Sequence, residues 1–205
     1  MEDTDHLDQV YLDQVYMDQV EDKRTAILEA TLRLISQYGF HGTAMSKVAK
    51  EAGVSAGIIY HYFASKDALI DELYRTLKRR SSQAMLAGFD ADRPLRGQIR
   101  LILQNIFRYY IQHPAESAFV EQYTRSPYFS PAIEEEVKSC YWPVVEAFHR
   151  AQAEMLIKEL PFEVVAALTL DVAAALAQKH DAGLVTMTDE LIDRVVDASW
   201  EAIRR

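Results

Sequence analysis

The stretch from Thr43 to Lys66, T-A-M-S-K-V-A-K-E-A-G-V-S-A-G-I-I-Y-H-Y-F-A-S-K, leaves the chain little choice of local structure. It reads as two short helices joined by a tight turn. The Thr43 hydroxyl can cap the first helix by satisfying an orphan N–H of its opening turn. Val48, Ala49 and Ala52 fall at helical spacing and are expected to face inward. Gly53 then stops the helix, because a left-handed residue is cheap only without a Cβ. Val54 plugs the gap between the helices, Ser55 supplies a second N-cap, and the next helix starts at Ala56 or Gly57. Two helices so joined form a helix-turn-helix, whose second helix can enter a DNA major groove about 12 Å wide.

The segment G-V-S-A-G-I-I-Y-H-Y-F-A-S-K, Gly53 to Lys66, resembles the DNA-binding signature of the TetR family of transcriptional repressors. G-F-H-G-T, Gly39 to Thr43, is similar to that family's link between first and second helices. The resemblance is dense from about Lys23 to Tyr74; beyond that only helix count and length match. It implies an all-α protein of about nine helices. A three-helix DNA-binding head would occupy 23–68 and a ligand-binding and dimerisation body 69–205, behind an acidic extension at 1–22. It also implies a homodimer on a palindromic operator in double-stranded DNA, released by a small-molecule effector.

Charge agrees with that reading only when taken by segment. The 205-residue chain carries a net −9, which by itself argues against a nucleic-acid binder. Residues 1–22 contain the acids Glu2, Asp3, Asp5, Asp8, Asp13, Asp18, Glu21 and Asp22 and no Lys or Arg. Residues 23–66 contain Lys23, Arg24, Arg33, Lys47, Lys50 and Lys66 against Glu29 and Glu51, a local +4. One basic block in an acidic chain is the footprint of a local DNA-binding face; a charge-balanced, solvated surface is the alternative. Cys140 is the single cysteine, which excludes an intrachain disulfide and a zinc site built on cysteines. The acidic N-terminus lacks the basic start of a secretory signal, and no apolar run reaches the roughly 20 residues that span a bilayer. A cytoplasmic location is expected.

Taken in order, the chain opens with a repeat, L-D-Q-V-Y, L-D-Q-V-Y, M-D-Q-V, over 7–20. Five residues advance a helix by about 500°, so this period cannot keep its apolar residues on one face. It reads as a duplicated tail, as an irregular extension of the first helix, or as an acidic arm on the chain's own basic face. From Lys23 a 3.6 period places Ile27, Leu28, Thr31, Leu34, Ile35 and Tyr38 on one stripe, closed by Gly39 with Phe40 packed behind. Lys23 and Arg24 at its start are either phosphate contacts or solvated charges. Ser65 caps a long fourth helix bearing Ala68, Leu69, Leu73, Leu77, Met85 and Leu86. Pro94 opens a fifth, and His113-Pro114 breaks it. A sixth spans about Ala115 to Tyr123. A seventh spans about Pro131 to Leu160 and is kinked by Pro143. An alanine-rich eighth spans 162–179. The last carries the stripe Leu191, Ile192, Val195, Val196, Ser199, Trp200 and Ile203.

Site residues follow from these elements and from the resemblance. Thr43, Ser46, Lys47, Ser55, Ala56, Gly57, Ile59, Tyr60, His61, Tyr62 and Lys66 are the candidate DNA contacts. The Tyr60 phenol and the Lys66 ammonium would reach phosphates. His61 would touch a base edge or a phosphate, and Phe63 belongs to the core. Ala56 with Ile58 and Ile59 suits apolar contact with thymine methyl groups. Phe107, Tyr110, Tyr123, Trp142 and Phe148 are the candidate ligand residues for an apolar, aromatic or cationic compound. Ala167, Ala174, Val196 and Trp200 are the candidate dimer interface. Glu134-Glu135-Glu136 reads as a solvated helix start. No nucleophile elbow, phosphate-binding loop or H-E-x-x-H is present, so neither an enzyme nor a cofactor or metal site is expected. The competing class is a small-molecule-binding or sequestering protein whose head contacts protein rather than DNA.

Overall fold

The computed structural model describes the backbone of residues 2–205 and the side chains from Asp22 onward. Among the described residues the chain is helical, without a named strand: α1 Glu2–Gly42, α2 Met45–Glu51, α3 Ala56–Tyr62, α4 Lys66–Met85, α5 Leu95–Gln112, α6 Pro114–Thr124, α7 Pro131–Lys138, α8 Trp142–Ala153, α9 Phe162–Leu168, α10 Leu170–Asp181 and α11 Asp189–Ile203, with a 3-10 turn at Ser139–Tyr141. The all-α expectation holds. The eleven helices reduce to the nine expected because two long ones are each broken. The chain divides into two compact units, Met1–Leu73 and Tyr74–Arg205.

In the first unit, α1 starts at Glu2, so the repeat lies on a continuation of the first helix; the reading of it as an arm on the basic face falls outside the described side chains. Gly39, at φ 67 and ψ 177, breaks the helical path where expected, a left-handed φ that glycine adopts without steric cost. Ile27, Leu28, Leu34 and Ile35 are buried, as is Phe40 behind the break. Tyr38 leaves the expected stripe: it is 58% exposed, with the Lys47 ammonium 5.4 Å from its ring centroid. Gly53, at φ 68, ends α2, and the Ser55 hydroxyl accepts from the Ile58 N–H at 3.3 Å to cap α3. Ser65 caps α4 by accepting from the Ala68 N–H at 3.0 Å. Thr43 does not cap α2. The N-cap residue is Ala44, and the buried Thr43 hydroxyl instead donates to the Gly39 carbonyl at 2.9 Å, tying down the break in α1.

In the second unit, α5 is the central helix. It buries Leu95, Ile99, Ile102, Leu103, Ile106 and Phe107 in a core completed by Val144, Phe148, Ile157, Ile192, Val196 and Trp200. Pro143 does more than kink the seventh helix. α7 stops at Lys138, and α8 restarts with the proline in its first turn, where its missing N–H costs nothing. That helix also ends early, at Ala153. Met155 takes φ 57, and after a bend at Leu156 an isolated antiparallel bridge pairs Ile157 with Arg204. The break between α9 and α10 at Thr169 has no Gly or Pro to announce it. The buried Thr169 hydroxyl donates to the Val165 carbonyl at 2.7 Å, the back-bonding that bends helices.

Candidate functional site

α3 is held by two buried side chains, Ile59 and, at its C-cap, Phe63. Burial of such a pair stabilises by about 1.5–3 kcal/mol each and fixes which face turns outward. Ser55, Ala56, Gly57, Tyr60 and His61 are exposed, and Ile58 and Tyr62 are half-buried. A Cβ built on Gly57 meets nothing closer than the Ser55 hydroxyl at 3.9 Å, so the start of α3 presents bare backbone to whatever approaches. Tyr60 is 56% exposed, and the His61 ring packs edge-on against Tyr62 with centroids 5.3 Å apart. Ser46 and Lys47 on α2 are exposed as well.

Two of the expected DNA contacts face the wrong way. Ile59 is fully buried, so no thymine methyl can reach it, and the apolar base contacts fall to Ala56 and Ile58. Thr43 is buried with its hydroxyl already committed to Gly39. Several cations are bonded within the unit. Arg24 pairs with Glu72 at 2.6 Å and lies 5.9 Å from the Phe63 ring centroid, which makes it a structural bridge rather than a phosphate ligand. The Lys66 ammonium donates to the Phe40 carbonyl at the end of α1. An ammonium has three donors, so this cap is compatible with a phosphate contact. Lys47 likewise donates to the Gly42 carbonyl, at 3.0 Å.

The second unit holds a cavity of about 630 Å³, within the range of small-molecule sites. Its walls come from α4, α5, α6, α7, α8, α9 and α10. Met85, Ile106, Val120, Val144, Phe162, Leu170 and Ala174 are the apolar lining, and Tyr74, Lys78, Tyr110, Glu121, Glu134, Tyr141, Asp171 and Gln178 are among the polar groups. Of the expected ligand residues only Tyr110 lines it. Phe107 and Phe148 are core, and Trp142 is 53% exposed. Tyr123 is buried one layer behind the cavity, stacked on Tyr74 with centroids 4.1 Å apart.

Glu134 is not the solvated residue expected. It is half-buried and accepts hydrogen bonds from Tyr74 and, at 3.0 Å, from Tyr141. Burial, and then Glu134 itself, pushes both phenols well above the ordinary tyrosine range. Burial pushes Tyr110 up to about 12. Burial also lowers Lys78, opposed by the charges of Glu134 and Asp171. Its spacing from Tyr74 and Met85 sets Lys78 within a helical stripe of α4 that also carries Leu77.

The expected dimer residues also move. Val196 and Trp200 are buried in the core of the second unit, and Ala174 lines the cavity. Only Ala167 is exposed. The outer faces of α9, α10 and α11 form a shallow, mostly apolar groove lined by Leu168, Val172, Leu191, Val195, Ala198 and Ala202 together with Arg194 and Ser199. Among the described residues no cluster of three His, Cys, Asp or Glu is placed to hold a metal ion, and no helix is long and apolar enough to cross a membrane.

Comparison with known proteins decides the family. The model of bacterial regulatory proteins of the tetR family matches residues 27–73, and that of a tetracyclin repressor-like C-terminal domain matches residues 94–204. The chain belongs to the TetR family of transcriptional regulators. An uncharacterized HTH-type transcriptional regulator of Haemophilus influenzae is 31% identical over 184 residues, 90% of this chain and 97% of that one. The crystal structure of a TetR family regulator from Marinobacter aquaeolei superposes with a TM-score of 0.88 at 27% identity, covering 92% of this chain and 98% of that chain. A putative TetR family regulator from Vibrio parahaemolyticus gives 0.76 at 33% identity, covering 89% and 99%. TetR regulators bind DNA operators, and the tetR family match at residues 27–73 covers the helix-turn-helix of α2 and α3.

Proposed function

We propose that the protein is a homodimeric, sequence-specific repressor, cytoplasmic and without catalytic activity, that leaves its operator when a small molecule occupies the cavity. The observation that carries the reading is the division of α3. Ile59 and Phe63 lock it from behind, while Ala56, Gly57, Tyr60 and His61 stand free in front. A rigid helix with an exposed, small-residue start is what entry into a major groove requires. The exposed cations Lys47 and Lys50 on α2 supply the salt-dependent phosphate attraction that supports it.

Dimerisation is supported by the groove of α9, α10 and α11. Leu168 there is 38% exposed, and Val172, Leu191 and Val195 keep part of their apolar surface uncovered. A second copy would cover that surface isologously. Its two heads would then read half-sites about 34 Å apart, or a multiple of that spacing. Ligand release requires the effector to bind the DNA-incompetent state more tightly. A gel shift of the DNA flanking its own gene, with and without unlabelled operator, tests the repressor reading. Failure to retard that DNA at low salt while the protein is folded and dimeric would sink it.

A further inference from the structure

We infer that the cavity is built for an amphipathic organic anion, an apolar body with one carboxylate-type head, and that Lys78 is its counter-charge. This rests on reading the cavity as the effector site and names the ligand class it takes. Two of the three acids that line the cavity walls are already bonded. Glu134 receives the hydroxyls of Tyr74 and Tyr141. Glu121 is paired with Arg125 at 2.9 Å and receives the Gln178 amide. Asp171 is exposed to solvent in the first turn of α10.

Lys78 is the contrast. Among the described residues its ammonium makes no hydrogen bond and no ion pair. It rests on two π faces, 4.4 Å from the Tyr141 centroid and 5.9 Å from that of Tyr74. Aromatic faces partly replace lost hydration but leave three N–H donors pointing at nothing fixed. A buried ammonium without a hydrogen-bonded partner is costly even with the charges of Glu134 and Asp171 nearby, and a ligand oxygen reduces the cost. Burial lowers the lysine's pKa, the direction expected of a cation waiting for its anion. A cationic ligand meets the opposite situation: it would sit against Lys78, find Glu134 and Glu121 already bonded, and have only the solvent-exposed Asp171 to pair with. The aliphatic lining by Met85, Ile106, Val144 and Leu170 suits an alkyl or similarly apolar body.

The test is calorimetric titration of the full-length, DNA-free protein with decanoate, decanol and decyltrimethylammonium, each below its micelle concentration. Decanoate should bind at least about tenfold tighter than the other two, equal to ~1.4 kcal/mol. Lys78→Met should abolish the preference for decanoate over decanol, and Lys78→Arg should keep it. Tighter binding of the cation, no measurable binding of decanoate, or an undiminished anion preference in folded Lys78→Met would each overturn the proposal. The wild-type comparison stands even if Lys78→Met does not fold. Operator retardation by the same preparation keeps the two readings apart. A protein that retards its operator yet shows no anion preference loses this cavity assignment and keeps the repressor reading. One that binds decanoate through Lys78 but retards no DNA does the reverse.

Discussion

Ile59→Ala separates the inner from the outer face of α3. Ile59 is fully buried, and truncation removes three carbon groups, about 2.4 kcal/mol of transfer free energy at ~0.8 each. The cavity left behind adds to that, so about 3 kcal/mol is expected, inside the usual 2–5 range for such truncations. A unit of this size has a total stability of about 4–10 kcal/mol, so the loss is a large fraction of it. Both tryptophans, Trp142 and Trp200, lie in the second unit, so their fluorescence in urea follows that unit while far-ultraviolet circular dichroism follows all helices. The dichroism should lose an early component, shifted by about 1.5 M if the urea slope is about 2 kcal/mol/M, while the fluorescence midpoint stays near wild type. Tyr60→Ala, at a site 56% exposed, should change stability by no more than about 0.5 kcal/mol and weaken operator binding instead. If Ile59→Ala leaves the dichroism unchanged and alters base preference, the face assignment is wrong.

Lys66→Ala should lower stability by about 1 kcal/mol through loss of the α1 cap and, where the ammonium also meets a phosphate, reduce the salt slope of operator binding by about one unit; an unchanged slope would restrict Lys66 to capping. Ala198→Arg, on the exposed groove of α10 and α11, should turn a dimer into a monomer by analytical ultracentrifugation, and a dimeric variant would move the interface elsewhere. The raised phenols predict alkaline destabilisation. With the folded pKa of Tyr110 at about 12 against about 10 unfolded, its contribution is full below pH ~10 and is lost as pH rises toward ~12, at about 1.4 kcal/mol per unit. Tyr74, Tyr109 and Tyr141 shift the same way, so phenolate absorbance of these four should appear only as the helices melt; their complete ionisation with dichroism intact would refute it.

The head was legible because its signals are local. Gly53 and Ser55 act within four residues of themselves, and the structure keeps both roles. The misreadings there are of face rather than element. Ile58 and Ile59 are neighbours in an apolar pair, and 100° of helix rotation sends one inward and the other partly outward; only the packing partner decides which. The body was legible as helices but not as a site. Phe107, Tyr110, Tyr123, Trp142 and Phe148 are all aromatics at helical spacing, and no period separates the one that lines a cavity from those that fill a core. Nor does any sequence signal near Thr169 show that a hydroxyl will take the helix's own carbonyl. The polar cavity groups were missed because Glu134 looks like an ordinary acidic helix start until two phenols, sixty residues before it and seven after, close on its carboxylate.

Those two phenols and Lys78 bear on how occupancy of the cavity can reach the DNA-facing unit. Leu69 and Leu73 of α4 are core residues of the first unit, and Tyr74 and Lys78 of the same helix are cavity walls of the second. Leu73 and Lys78 both belong to α4, Lys66–Met85, and we propose that the effector acts through that helix. An anion binding equally to both states of the protein would shift nothing; it must prefer one position of that ammonium. The coupling available to such linked sites is about 1–3 kcal/mol, a 5- to 150-fold loss of operator affinity on saturation. Lys78→Met should therefore fail to release operator when decanoate is added, whatever its operator affinity without decanoate. Release of that variant at wild-type decanoate concentrations, followed by fluorescence anisotropy of labelled operator, would show that the signal enters the helix somewhere other than this lysine.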